Sequence, residues 1–325
     1  MSTKHPTATP QPTTRRQFLA RSAMGPATAA LLHFPFKSRG ASAGNEPDRS
    51  ISVQTAPTVR QTDVPFDPGQ YTAFPHVERL EGDELLMAFR QAPRQERVRH
   101  THPRSIITVV RSYDAGKTWD MENATQLAAG GGQEFAPIHL GHGVLGGLLA
   151  MHEIVPVKES QRAGMPKIHE HEYPFLNVGS FWCWSTNHGL TWRLNDQVLF
   201  APRLQSCSPA IRLASGALLA PCYGSESQDH EGVSSNVLYR SADQGRTWSR
   251  LATIAEGERS TRDYYEPCIL EPEPGRLLAM HRVGRCQDGR HGLIWQNEST
   301  DGGRSWTRPV ETTIDRKSTR LNSSH

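Results

Sequence analysis

A chain of 325 residues that is 36% hydrophobic and 21% charged has ordinary globular composition, with room for one large core or two small ones; it is neither wholly disordered nor fibrous. Lysine and arginine number 36 against 33 aspartates and glutamates, and no basic run is interleaved with aromatics, so no nucleic-acid partner is expected. No uncharged apolar run reaches the roughly eighteen residues of a transmembrane segment, and none is expected.

At the N-terminus, polar and proline-rich Met1 to Thr14 leads into Arg15-Arg16-Gln17-Phe18-Leu19, a modestly apolar stretch and then Ala41-Ser42-Ala43. This order resembles a twin-arginine export signal ending in an A-x-A cleavage site. It implies a leader over residues 1–43, a linker over 44–66, and a protein that folds before export to the periplasm or beyond. The five cysteines, Cys183, Cys207, Cys222, Cys268 and Cys286, are odd in number and lack C-x-x-C spacing, so no disulfide framework is indicated. Cys207 and Cys222 lie near opposite each other across a predicted hairpin and could pair after export; buried free thiols are the preferred reading.

From Asp67 onward two patterns alternate. The first is a hairpin with proline near its start and a Leu-Leu pair in its second strand: FPHVERLEGDELLMAFR from Phe74, FAPIHLGHGVLGGLLAMHE from Phe135, CSPAIRLASGALLAPCY from Cys207 and YEPCILEPEPGRLLAMHR from Tyr265. The second follows each hairpin in turn: Ser112-x-Asp114-x-Gly116-x-Thr118-Trp119, Ser185-x-Asn187-x-Gly189-x-Thr191-Trp192, Ser241-x-Asp243-x-Gly245-x-Thr247-Trp248 and Ser299-x-Asp301-x-Gly303-x-Ser305-Trp306. Its chemistry suits a turn, since Asp or Asn bonds the following backbone, glycine supplies positive φ, and tryptophan starts a returning strand. A structural role is therefore expected for the box aspartates. Four short strands per repeat, without helical periodicity, predict an all-β propeller blade.

These boxes are similar to the Asp boxes of the sialidase (neuraminidase) superfamily, whose members are six-bladed β-propellers. The resemblance covers residues 67–314, and about four blades are visible. The last residues, Asp315 to His325, back-translate to a common sequencing adapter, so 315–325 is set apart as an artefact and the natural chain is expected to differ after Ile314. Two further blades would need roughly a hundred more residues. Such a fragment is expected to be poorly soluble and inactive, because it leaves a sheet edge and half a core uncovered.

Aligning the hairpins on their Leu-Leu pairs puts Arg90, Glu153, Tyr223 and Arg282 at one equivalent position. A propeller gathers such positions around its axis, where these groups suit an anionic sugar; the alternative is that they are solvated strand ends. The resemblance implies an arginine triad for the substrate carboxylate, a tyrosine nucleophile activated by a glutamate, and an aspartate acid. It carries Glu266 over as the tyrosine's partner and Arg282 as a carboxylate clamp, placing the tyrosine and last arginine in later blades. Where the family has F-R-I-P this chain has Thr72-Ala73-Phe74-Pro75, so one arginine is replaced by Ala73. Arg90 resembles the arginine that follows in the same blade. In the loop after it, where the acid belongs, Glu96 is the only carboxylate, with His100 and His102 as alternatives and a solvated loop as the plain reading.

A bidentate arginine contributes about 1.5 to 3 kcal/mol, so its loss leaves other acidic sugars and neutral glycans open beside sialic acid. The long second unit carries His169-Glu170-His171-Glu172, whose spacing is not that of a zinc motif. No metal and no cofactor are expected. Two functions stand: an exported exo-glycoside hydrolase acting on terminal sugars of glycans, or a non-catalytic propeller that binds glycan or protein.

Overall fold

The computed structural model describes residues 69–94, 101–127, 130–155, 174–226, 233–259, 261–286 and 293–315. They fall in the unit Arg60–His325; the other unit, Met1–Val59, lies outside them. The export-signal residues, the linker, Glu96, His100, the His169 to Glu172 run and the tail after Asp315 are likewise outside the described residues.

Among the described residues sixteen strands make four antiparallel sheets, each a simple up-and-down meander. Blade 1 is β1 (Gln70–Arg79), β2 (Leu85–Pro93), β3 (Ile106–Ser112) and β4 (Asp120–Leu127). Blade 2 is β5 (Gly132–Gly141), β6 (Val144–Ile154), β7 (Phe175–Ser185) and β8 (Val198–Pro202). Blade 3 is β9 (Ile211–Arg212), β10 (Leu218–Gly224), β11 (Ser235–Ser241) and β12 (Ser249–Ala255), and blade 4 is β13 (Arg262–Glu273), β14 (Arg276–Cys286), β15 (Leu293–Ser299) and β16 (Val310–Asp315). These are four blades of a sialidase-type β-propeller. The one helical element among the described residues is a 3-10 turn, Leu194–Asp196, and no described helix is long and apolar enough to cross a membrane.

The burial pattern explains why the second strands read as nearly continuous apolar runs. Leu86 to Arg90 of β2 are buried on both faces, Leu86 and Ala88 against blade 2 and Met87 and Phe89 against Val110, Trp119 and Met121 of their own blade. The outer strand β4 keeps only partial cover, and its sequence is accordingly polar. Between blades 1 and 2 the core joins Leu86, Ile107 and Val109 to Phe135, Leu145 and Leu149. Between blades 2 and 3 it joins Trp182 and Phe200 to Leu218, Cys222 and Val237. Leu219, Leu238 and Ile254 meet Ile269, Leu277 and Ala279 at the next junction.

Each box closes the turn between the third and fourth strands of its blade. Ser112 Oγ donates to Asp114 Oδ1 at 2.8 Å and accepts from Gly116 N at 2.8 Å, while Asp114 accepts from Thr118 N at 2.9 Å and Thr118 Oγ1 at 2.8 Å. Two residues in succession are left-handed, Ala115 at φ 57° and Gly116 at 83°. The other three boxes repeat this, with Asn187 standing in for aspartate: its Oδ1 accepts from Thr191 N at 3.0 Å and its Nδ2 donates to Thr191 Oγ1 at 2.9 Å.

Donated hydrogen bonds from Thr118 hold the Asp114 carboxyl at about 2, and those from Thr247 and Ser305 hold Asp243 and Asp301 there too. A carboxyl depressed on folding stabilises above its unfolded value, near 3.8, and loses that contribution as pH falls towards about 2. Asp114→Asn should therefore keep the neutral-pH melting temperature, because Asn187 shows that the turn accepts an amide. It should also weaken the acid dependence below pH 4, as melting curves between pH 2 and 7 would record.

Candidate functional site

The four equivalent second-strand positions do not end alike. In blades 1, 3 and 4 the register pairs Arg90 with Ala73, Tyr223 with Gln205, and Arg282 with Tyr265. In blade 2, shifts in β5 between Gly132 and Glu134, and in the β6–β7 pairing between Met151 and His152, break the equivalence. Glu153 is left exposed, opposite Leu176 on the far neighbour, and its buried neighbour His152 turns inward.

Contacts across successive blade junctions link the inward groups. His76 Nε2 of blade 1 lies 4.0 Å from Glu134 Oε2 of blade 2. His152, stacked on Phe175 at 4.2 Å, meets Gln205 of blade 3 through its Nε2. Gln205 exchanges two backbone hydrogen bonds with Tyr223, of 2.8 and 2.9 Å, and its Oε1 accepts from the Tyr223 hydroxyl at 2.7 Å. Tyr223 stands edge-on to Tyr265 of blade 4, 5.8 Å between ring centroids. Arg282 lies over the Tyr265 ring at 5.1 Å, and its Nε is 2.7 Å from Glu266 Oε2. Gly284 makes room for that ring, since a Cβ there would sit 2.3 Å from Tyr265 Cε2.

Glu266 is left-handed at φ 47°, at the end of a register shift in β13. Phe74 holds the corresponding place in β1, also before a proline and at φ 57°. The conformation thus belongs to this hairpin as built in two blades, and in blade 4 it projects a carboxylate. The Arg282 and Glu266 side chains are 38% and 42% exposed, so their ion pair stabilises the fold by under about 1 kcal/mol and is open to solvent. Burial pushes the Tyr223 phenol well above its usual range, with smaller contributions from the carboxylates of Glu134 and Glu266, so Tyr223 serves as a neutral hydrogen-bond donor.

Of the residues singled out from the sequence, Tyr223, Glu266 and Arg282 come together. Arg90 is fully enclosed in blade 1, 5.8 Å from the Tyr71 ring centroid, and Glu153 points elsewhere. His102, 5% exposed, accepts from Arg104 N through its Nδ1 at 3.0 Å. Glu134, His76, His152 and Gln205 were not legible: they flank the aligned hairpins or depend on register shifts that no residue pattern announces.

Cys183, Cys207, Cys222 and Cys268 are free thiols. Burial pushes Cys183 and Cys222 up to about 12, which makes them unreactive. Among the described residues no cluster of histidine, cysteine, aspartate and glutamate is arranged to hold a metal ion.

The BNR repeat-like domain family matches residues 175–323, and no curated protein sequence matches the chain. Among solved structures, a protein of unknown function from Dyadobacter fermentans aligns with a TM-score of 0.62 at 20% identity, over 77% of this chain and 71% of its own. The Hadza microbial sialidase Hz136 aligns at 0.52 and 19% identity, over 75% and 47%, and the NanB sialidase of Streptococcus pneumoniae at 0.52 and 13%, over 80% and 55%. This chain therefore spans about half the length of either sialidase. At such identities the likeness concerns the fold alone: residues 175–323 resemble BNR repeat-like domains, and the chain shares the propeller fold of these structures.

Proposed function

We propose that this protein is a sialidase-like exo-glycoside hydrolase acting on terminal sugars of glycans. The observation that carries the reading is the half-exposed Glu266–Arg282 pair at 2.7 Å, set against Tyr265 and Tyr223 at the junction of blades 3 and 4. A guanidinium offers parallel donors to a carboxylate or to paired sugar hydroxyls, and a ligand displaces it from its intramolecular partner at little cost when the pair is solvated. Freed of Arg282, the Glu266 carboxylate can take a proton from a phenol or water that attacks the anomeric carbon. Tyr223 and Gln205, locked to each other, supply fixed donors and acceptors for hydroxyl groups.

The test is turnover by the full-length protein against aryl glycosides, an aryl sialoside among them. Glu266→Ala should lower kcat about a hundredfold or more and change KM only a few-fold. Equal activity of variant and wild type would remove Glu266 from the mechanism. A second reading, a propeller that binds glycan or protein without cleaving, is favoured by Ala73 at the place of a family arginine and by the enclosure of Arg90. It would be supported by a wild-type protein that hydrolyses none of these substrates and yet is retained on a glycan array.

A further inference from the structure

A tyrosine in a binding wall meets a ligand in one of two ways, giving its O–H proton or offering its lone pairs, and the groups behind it decide which. Tyr223 is half-buried, its ring 5.8 Å from that of Tyr265, over which the Arg282 guanidinium lies at 5.1 Å. Its hydroxyl proton goes to Gln205 Oε1 at 2.7 Å. Two backbone hydrogen bonds between Gln205 and Tyr223 keep the amide opposite the ring. The residue before it is fastened to blade 2, where Ser180 Oγ donates to Leu204 O at 3.0 Å.

Which end of the amide faces the phenol is set from blade 2. Gln205 Nε2 meets His152 Nε2, and an amide nitrogen only donates, so this ring nitrogen accepts and the imidazole proton sits on Nδ1. The imidazole is held for that role: it is 5% exposed, lies nearly parallel to Phe175 at 4.2 Å, and its backbone N–H donates to Gly131 O at 2.9 Å. Only glycine allows that approach, since a Cβ on Gly131 would lie 2.1 Å from His152 O. Hydrogen bonds therefore run one way along the chain, from Tyr223 to Gln205 and from Gln205 to His152. With its proton spent, the phenol oxygen has lone pairs left.

Resting on the hydrolase reading above, we propose that His152 and Gln205 are positioning residues that make Tyr223 a specificity-determining acceptor, against which the sugar seats a hydroxyl group that donates to the phenol oxygen. A ligand carboxylate, carbonyl or ether oxygen at that point would set lone pair against lone pair and go unpaired. Turning the phenol proton towards such a ligand would take the donor from Gln205 Oε1 in a half-buried wall, so the site resists it. Arg282 works in the opposite sense, because a guanidinium only donates. Ligand acceptors thus belong on the blade 4 side and a ligand donor on the blade 3 side, which fixes the orientation of the sugar.

The probes are the methyl glycoside of the sugar whose aryl glycoside the full-length wild type hydrolyses best, and its analogues with each hydroxyl in turn replaced by hydrogen or by fluorine. They are read as competitive inhibitors of that hydrolysis. Fluorine accepts weakly and does not donate. At one hydroxyl the deoxy and fluoro analogues should both inhibit wild type about tenfold more weakly than the parent and within about twofold of each other, whereas Tyr223→Phe should bind all three alike. Gln205→Met frees the phenol proton, so in that variant the fluoro analogue should bind about threefold better than the deoxy one. A merely structural role for Gln205 would weaken all three equally and overturn the assignment. So would a fluoro analogue that binds wild type as well as the parent at the position Tyr223→Phe identifies, or the absence of any such position. Should Tyr223→Phe not fold, as judged by its melting curve, Gln205→Met identifies the position. A wild type that hydrolyses no glycoside overturns the hydrolase reading alone, and the same compounds are then competed against the glycan it retains; retention of none overturns both.

Discussion

Gly245→Ala is expected to lower the melting temperature by about 10 °C, whereas Gly82→Ala lowers it by about 3 °C. Both glycines are left-handed, at φ +91° and +61°, so both substitutions carry the backbone cost of about 1 kcal/mol. Their surroundings differ. Nothing lies within 4 Å of a Cβ built on Gly82, in the β1–β2 turn, whereas a Cβ on Gly245 would meet the Trp182 indole at 2.0, 2.3 and 2.6 Å. Trp182 is fully buried and cannot retreat, because it packs on Trp248 at 5.2 Å and against the backbone of Gly146.

Overpacking such a site costs about 1 to 3 kcal/mol beyond the backbone term. The same joint recurs: Gly189 meets Leu86 of the preceding blade at 3.0 Å, and Gly303 meets Leu238 at 2.8 Å. The box glycines of blades 2, 3 and 4 therefore let each of those turns close on the blade before it. Thermal melting of the two variants beside wild type decides the matter, and equal losses would show that the contact with Trp182 does not hold the blades together.

Stability is expected to fall by about 3 kcal/mol between pH 6.5 and 4 on account of His281 alone. This imidazole is fully buried between blades 3 and 4. Asn297 spends its Nδ2 on the carbonyls of Ile254 at 2.7 Å and Thr307 at 3.0 Å, so its Oδ1 accepts from His281 Nε2 at 2.8 Å. His281 Nδ1 must then be the acceptor for Asn236 Nδ2, also at 2.8 Å. Protonating Nδ1 would set donor against donor, and burial pushes the imidazole down to about 4 from an ordinary 6.5. The unfolded chain takes up this proton first as pH falls. The contribution is thus complete above 6.5 and gone near 4, a window clear of the box aspartates, whose own loss runs from about 3.8 to about 2. Denaturant melts of His281→Gln should be flatter than wild type over that range; an unchanged slope would assign the pH dependence to other groups.

The site was only partly legible, for a reason visible in its register. Alignment on the Leu-Leu pairs brought Tyr223 and Arg282 to corresponding places because β9–β10 and β13–β14 keep their pairing up to those residues. The same alignment put Glu153 beside them, and the extra residues in blade 2 shift it outward while His152 and Glu134 turn in. A one-residue shift exchanges the faces of a strand, and a bulge leaves no mark on composition. Glu266 was reached through a resemblance and Arg282 through both resemblance and alignment; the stacking of Tyr265 between Arg282 and Tyr223 emerged only from the packing.

Taken alone, the sequence determined the blades: their number, their boundaries and the turn in each box follow from short-range chemistry, since an aspartate bonding its own following backbone, a left-handed glycine and a tryptophan opening a strand act within eight residues. Tertiary structure alone decided which polar groups meet. Glu134 with His76, His152 with Gln205, and Tyr223 with Tyr265 are paired across blade junctions, where the register of one strand and the packing of the next fix the direction of a side chain.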